Sequence, residues 1–404
     1  MSDHVHDSSR RQFITGGLAG LATSTLAAGG LIADDGADQN ASVPTRRLGK
    51  TGLVLPLVSM GVMNADNPNL VAAALDGGIR MLDTAHYYQR GRNEEMVGNV
   101  IKDRLRDSFV LATKARASTV DRSHVQDDAQ ATAETKESFL QKVDLSLRRL
   151  QTDHVDILYL HSAKAREHVL DELVLDAMQT LKQQGKIRFI GVSTHRNQAE
   201  VMRAAVESGV YEVVLTAYNF RSHDAEALEE TMAFAAASGL GVVAMKTQAG
   251  VYLDEERTQK IPMQPALRWA LRHEFVHTSI PGFTTFDQLE EDLEVMANPL
   301  MTPGDERALP RSDRVAGLYC QQCEACLGQC AAGIDVPTLM RGYMYARGYR
   351  NLTAAKDAVR SLGLKSLPCS GCEACTVQCP QRIDVRRRAL EVARLEALPD
   401  EFLA

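Results

Sequence analysis

The stretch that decides the fold is Ile79–Gly98, IRMLDTAHYYQRGRNEEMVG. It opens on a short apolar run, Ile79-Arg80-Met81-Leu82, and ends that run on Asp83. A tyrosine pair follows, then a Gly-bearing basic loop, then a helix start at Asn93-Glu94-Glu95. A carboxylate and a phenol just past the C-terminal end of a strand stand where a (β/α)₈ barrel keeps its chemistry. Asp83 and Tyr88 are the two candidates, and Tyr87 competes with Tyr88 for the same role.

Reading outward from this stretch, a strand–helix alternation runs from Arg46 to about Pro299. Upstream, Arg46–Pro56 (RRLGKTGLVLP) predicts a hairpin around Lys50-Thr51-Gly52, and Leu57–Met60 predicts the first barrel strand. Downstream, strands are predicted at 109–114, 155–161, 187–193, 213–219, 242–246 and 278–282. These runs are short and rich in Val, Ile and Leu, as strands buried on both faces are. Helical patterns lie between them. A doubly wound sheet would place a Gly-rich fingerprint after its first strand, and none is present. The fold class is therefore α/β: a (β/α)₈ TIM barrel followed by a small, mainly α-helical module. Lys114 ends the third strand and His161 the fourth, so one rim collects Asp83, Tyr88, Lys114 and His161. That set suits carbonyl reduction, because a tyrosine of ordinary pKa near 10 is a reluctant acid and a neighbouring ammonium, held by a carboxylate, eases its proton loss. The Arg90-Gly91-Arg92 loop reads as a solvated basic turn, and Trp269, the one tryptophan, as packing.

The segments DTAHYY, FVLATK and DILYLHS resemble the aldo/keto reductase superfamily, over roughly residues 46–299. The resemblance implies that Tyr88 is the general acid, that Lys114 and Asp83 tune it, and that His161 orients a small-molecule carbonyl or alcohol substrate. It also implies NAD(P) as cofactor, near Ser193, Thr194, Lys246, Gly282, Gln288 and Asp292. Several of these depart from the family's usual residues: Ser193-Thr194 replaces Ser-Asn, Leu215 a glutamine, and Met245-Lys246 a stacking tyrosine. Gln288 stands for the arginine that clamps a 2′-phosphate, and Asp292 for the asparagine that holds adenine.

All eight cysteines fall between Cys320 and Cys379. They form two C-x₂-C-x₂-C-x₃-C runs, Cys320, Cys323, Cys326, Cys330 and Cys369, Cys372, Cys375, Cys379. Cys323-Glu324-Ala325-Cys326 and Ile334-Asp335-Val336 recur at Cys372-Glu373-Ala374-Cys375 and Ile383-Asp384-Val385, an internal repeat. The spacing is the bacterial ferredoxin run, in which the fourth Cys ligates the other cluster, so two 4Fe-4S clusters are expected. Between the runs, Val336–Leu362 predicts helix, and the module resembles the helical two-cluster ferredoxins of respiratory enzymes.

At the N-terminus, Ser9-Arg10-Arg11-Gln12-Phe13-Ile14 precedes a Gly/Ala-rich apolar run and resembles a twin-arginine export signal. Periplasmic location is expected, with the twin-arginine translocase as a partner; cytoplasmic or membrane-associated retention through an uncleaved signal is the alternative. The expected organisation is signal 1–33, linker 34–45, barrel 46–300, linker 301–315, cluster module 316–390 and tail 391–404. With a net charge of −7 and a pI near 5.9, nucleic acid is excluded as an expected partner. A redox partner protein or quinone-linked chain is the expected electron partner. The main expectation is an exported iron–sulfur oxidoreductase. Its rivals are a non-catalytic redox-sensing or scaffold barrel, and an electron-transfer subunit whose function lies in its clusters.

Overall fold

The computed structural model describes residues 43–117, 135–254, 256, 258–309, 318–363, 369, 371–373 and 375–403. The Arg10-Arg11 motif, the predicted signal, residues 34–42 of the first linker and 310–315 of the second lie outside the described residues; within the second, Pro303–Ala308 form a short helix. A hairpin of β1 (Thr45–Arg47) and β2 (Val54–Pro56) pairs antiparallel, Arg46 opposite Leu55. It stoppers the N-terminal end of a barrel. Leu48 and Leu55 enter the lumen core with Met81, Val110, Ile157, Tyr159, Val213 and Val243. The Arg46 guanidinium donates to the carbonyls of His273 (2.9 Å) and Leu271 (3.1 Å) beneath it. Gly49, at φ +51°, lies so close to Gly239–Gly241 that any side chain there would strike their backbone.

The barrel strands are β3 (Met60–Gly61), β4 (Met81–Asp83), β5 (Val110–Ala115), β6 (Val155–Leu160), β7 (Ile187–Thr194), β8 (Val213–Ala217), β9 (Gly241–Met245) and β10 (Thr278–Ser279). They pair in parallel in chain order. The ring closes where Val58 bridges Ser279, helped by Ser59 N–H to Ser279 O (2.8 Å) and Gly61 N–H to Pro281 O (3.0 Å). Around the strands run α1 (Pro68–Asp76), α2 (Arg92–Ile101), α3 (Lys136–Leu150), α4 (Glu172–Gln183), α5 (Gln198–Ser208), α6 (Ala225–Ala237), α7 (Met263–Leu271) and α8 (Phe286–Ala297). Their apolar faces pack on the outward residues of the strands in one continuous core. Local signals place the ends: Thr135 and Ser138 form a reciprocal capping box at α3, and Thr285 caps α8 by accepting Gln288 N–H. Because the stopper occupies the lower end, the upper rim alone is left for chemistry.

The C-terminal module has its own core, in which Leu339, Tyr343, Val359, Ile383 and Val392 meet. The sequence repeat is a structural repeat. Asp335 caps α9 (Val336–Tyr343) through Thr338 N–H (3.1 Å), and Asp384 caps α11 (Val385–Ala393) through Arg387 N–H (3.0 Å). The single helix expected over Val336–Leu362 is broken. After α9 a π turn covers Met344–Gly348, Arg350 adopts φ +55°, and Asn351 accepts Ala354 N–H (2.9 Å) to start α10 (Leu352–Arg360). The break has an evident cause: Asn351 serves as a cap, and its amide also donates to Asn64 Oδ1 of the barrel (2.9 Å). Residues 43–404 form one compact unit. The barrel and module are clamped by Arg196, after β7, which pairs with both Glu324 and Asp335. Among the described residues no helix is long and apolar enough to cross a membrane.

Candidate active site at the barrel mouth

Past Asp83 the chain keeps strand-like bonding for two more steps, Thr84 N–H to Ala112 O and His86 N–H to Lys114 O, which carries the tyrosine pair over the rim. It then reverses through Gln89, Arg90 and Gly91, all at positive φ. Gly91 is required, because a Cβ there would strike the Arg149 guanidinium. Arg149 in turn braces the turn by donating to His86 O (2.8 Å) and Glu94 (3.2 Å), while Thr113 donates to the same carboxylate (2.7 Å). This buried polar network fixes the tyrosines from behind.

On the rim, Lys114 and Asp83 form a buried ion pair, and Lys114 Nζ also donates to Thr84 O (2.7 Å) and to the Tyr88 hydroxyl (3.4 Å). Burial pulls both members toward their neutral forms, Asp83 upward and Lys114 downward, and their contact opposes it. Tyr88 is pushed well above an ordinary phenol, first by burial, then by Tyr87 and Asp83. Lys114 therefore does not hold a phenolate; it meets a neutral hydroxyl that carries its proton. His161 is driven well below its ordinary value by burial, then by Arg116 and Lys114, and is neutral. Its Nε2 bonds the Tyr87 hydroxyl (3.3 Å), with the Tyr88 ring edge-on at 5.9 Å. Tyr87 is itself held by Arg116, which donates to its hydroxyl (3.0 Å) and lies 4.1 Å over its ring.

Asp83, Tyr87, Tyr88, Lys114 and His161 line one cavity of about 470 Å³. It runs from them to Pro281–Thr285 and Gln288, and is roofed by Tyr345 and Tyr349 of the module. A smaller cavity of about 230 Å³ adjoins it and shares His195, Lys246, Ala249 and Tyr349. Of the expected cofactor residues, Gly282, Gln288 and Lys246 reach the large cavity. Lys246 lies 5.0 and 5.2 Å from the ring centres of Tyr345 and Tyr349. Ser193 and Thr194 do not reach it. The Ser193 hydroxyl accepts Ser162 N–H (2.9 Å), and that of Thr194 donates to Arg196 O (2.6 Å). Asp292 is buried off the cavity, where it accepts from Gln248 (3.3 Å), and burial raises its pKa to about 8.

This last shift sets a pH dependence. An unfolded Asp ionises near pH 4, whereas folded Asp292 keeps its proton up to about pH 8. The stability lent by the neutral form is complete below about pH 4 and is lost as pH rises to about 8. Asp292→Asn is expected to gain on the wild type between pH 5 and pH 8, as read by denaturant titration at both values; a constant difference would contradict it.

Arg116, His195 and the module's Arg341, Tyr345 and Tyr349 escaped the sequence reading. Strand alternation carries the first two, since Arg116 lies two residues past Lys114 and His195 two past Ser193. The other three recur every fourth residue, one helix face.

The cysteines sort into two sets that cross the repeat. Cys330 lines one cavity with Cys369, Cys372 and Cys375. Cys379 lies near enough to Cys320 and Cys326 for its charge to act on both. Burial pushes the Cys320 thiol up to about 12 and Cys326 to about 11. Among the described residues no three His, Cys, Asp or Glu side chains converge on a single ion. The sorting fits cluster ligation in which each run lends its fourth Cys to the other.

Residues 319–384 match the 4Fe-4S dicluster domain, and residues 60–266 the aldo/keto reductase family. An uncharacterized oxidoreductase of Bacillus subtilis is 37% identical over 156 residues, 37% of this chain and 49% of that protein. The chain thus spans about half the length of that relative. An L-galactose dehydrogenase of Arabidopsis thaliana is 28% identical over 257 residues, 59% of this chain and 76% of that protein. Among solved structures, an aldo-keto reductase from Klebsiella pneumoniae in complex with NADPH shares the fold at 23% identity and a TM-score of 0.53, covering 68% of this chain and 97% of that one. With a 4Fe-4S dicluster domain at its C-terminus, this chain belongs to the aldo/keto reductase family of oxidoreductases.

Proposed function

We propose that the protein is an exported iron–sulfur oxidoreductase that reduces a small-molecule carbonyl, or oxidises the matching alcohol, with Tyr88 as general acid. The observation that carries this reading is the convergence of Tyr88, Lys114, Asp83 and His161 on one wall of a cavity large enough for substrate. A nicotinamide dinucleotide, when bound, supplies the hydride. The phosphate end fits the open backbone around Gly282 and the N-terminus of α8. The family's carboxamide donors are replaced by hydroxyls already committed to backbone. Tyr88 gives its phenolic proton to the carbonyl oxygen as the alcohol forms. Lys114, anchored on Asp83 and Thr84, offsets the negative charge left on the phenol. Neutral His161 orients the oxygen by hydrogen bonding without adding charge.

Gln288 offers no charge to a 2′-phosphate: its side-chain oxygen accepts Thr284 N–H (2.8 Å). Binding titrations with NADH and NADPH on cluster-loaded protein should differ by less than tenfold, about 1.4 kcal/mol. A larger preference for NADPH would show that another residue reads the phosphate. If neither dinucleotide supports reduction of any aldehyde or ketone in a broad panel, the reductase reading falls.

The fusion supports two 4Fe-4S clusters as an exit or entry for electrons to a redox partner or quinone-linked chain. The export compartment lacks a free nicotinamide pool, so a dinucleotide would be seated before export. The twin-arginine route, which carries proteins already folded around cofactors, accommodates both requirements. Changing Arg10 and Arg11 to Lys in a C-terminally tagged protein should leave it in the cytoplasm; unaltered periplasmic recovery would remove the export assignment.

A further inference from the structure

The smaller cavity carries a feature that the proton-donating set does not use. Arg341 enters it from α9 of the module and Lys246 from the end of β9. Arg341 is 6% exposed. Among the described residues neither side chain has a carboxylate partner; Arg341 has the Thr338 hydroxyl (3.4 Å), and Lys246, pulled toward its neutral form by burial, has the Tyr349 hydroxyl and the rings of Tyr345 and Tyr349. Two acids on the same wall are already paired, Glu324 with Arg196 and Asp224 with His223. His195, 9% exposed, lines both cavities and its Nδ1 has no partner. A guanidinium and an amine without carboxylate partners, beside an imidazole nitrogen without a partner, line a half-open cavity and favour an anion in the space between them. A guanidinium there is suited to planar, bidentate capture of carboxylate or phosphate oxygens.

We propose that Arg341, Lys246 and His195 bind an anionic group, carboxylate or phosphate, of the substrate. The inference deepens the reductase reading and rests on it for the word substrate. Since His195 and Lys246 border both cavities, a molecule whose carbonyl meets Tyr88 extends its anionic end toward Arg341. The cluster module is then part of the specificity pocket, because it supplies the guanidinium. The competing role for the same charges is to balance the cluster beside Cys320 and Cys323, which line the same wall.

The test uses cluster-loaded, full-length protein and calorimetric titration without reductant, so that no turnover is needed. The probes are 4-oxobutanoate, its neutral counterpart butanal, and inorganic phosphate. Wild type should bind the first and third. Arg341→Gln and Lys246→Gln should each weaken both by about tenfold or more, equal to 1.4 kcal/mol, with butanal changed less than about twofold on the same scale. Arg341→Lys should recover part of the loss. Lys246→Gln, on the barrel, serves if Arg341→Gln does not fold. If the Gln variants bind 4-oxobutanoate as the wild type does and only the cluster midpoint potential moves, the charges serve the cluster and the proposal is overturned. Anion binding that persists in a protein unable to reduce any carbonyl would sink the reductase reading and leave this site standing. Phosphate binding without 4-oxobutanoate binding would assign the site to a phosphorylated substrate.

Discussion

Tyr88→Phe is expected to lower kcat/KM for carbonyl reduction by about 10²–10⁴-fold, the usual cost of a lost general acid. Dinucleotide affinity should stay unchanged. The substitution removes one oxygen and leaves the ring edge-on to His161 and beside Tyr87. In the proposed mechanism Tyr88 acts as a neutral phenol, because burial holds its proton. Tyr87→Phe is the control. That hydroxyl is committed to Arg116 and His161, so its loss should loosen the wall and cost less than Tyr88. Steady-state kinetics of both variants decide the matter. A dead Tyr87→Phe beside an active Tyr88→Phe would move the acid to Tyr87.

The second large effect concerns iron. Cys379→Ser and Cys330→Ser should each remove about half of the bound iron, because each cysteine completes the set built on the other run. Pairing the variants separates this arrangement from two self-contained runs. Combining Cys379→Ser with Cys323→Ser should remove no more iron than either alone, since both belong to the set around Cys320. Combining it with Cys372→Ser should strip nearly all of it. Iron analysis with EPR of the reduced protein reads both outcomes, and the reverse pattern would mean that each run closes on itself.

The barrel was legible because its strands are short apolar runs ending in chemistry-bearing residues, a pattern that survives whatever the helices do. Asp83, Lys114 and His161 were placed together because each sits at a strand end, where position along the chain maps onto position on the rim, and Tyr88 because it follows one of those ends by five residues. What the chain order hides is which group meets which across the rim. Ser193 and Thr194 stand where family members hold nicotinamide, yet Ser162 N–H and the backbone of Arg196 take their hydroxyls first. Strand position could not reveal Arg341, Tyr345 or Tyr349 either. Their role depends on a module folding back over the barrel, and contacts between residues so far apart leave only a helical stripe in the sequence. The break around Arg350 was missed for a related reason: Asn351 both caps the next helix and meets Asn64 of the barrel, a contact that chain order does not show.

Glu324 lies between Cys323 and Cys326, and its carboxylate grips Arg196 at the end of β7. Iron seated on those thiolates therefore also fixes one jaw of the clamp on the barrel. Losing it would free Glu324 and leave Arg196 held by Asp335 alone. His195 is the next residue along, so the wall of the anion pocket would slacken together with the clamp. Protein lacking iron at this position is therefore expected to keep Tyr88, Lys114 and Asp83 in place beside a looser cavity mouth.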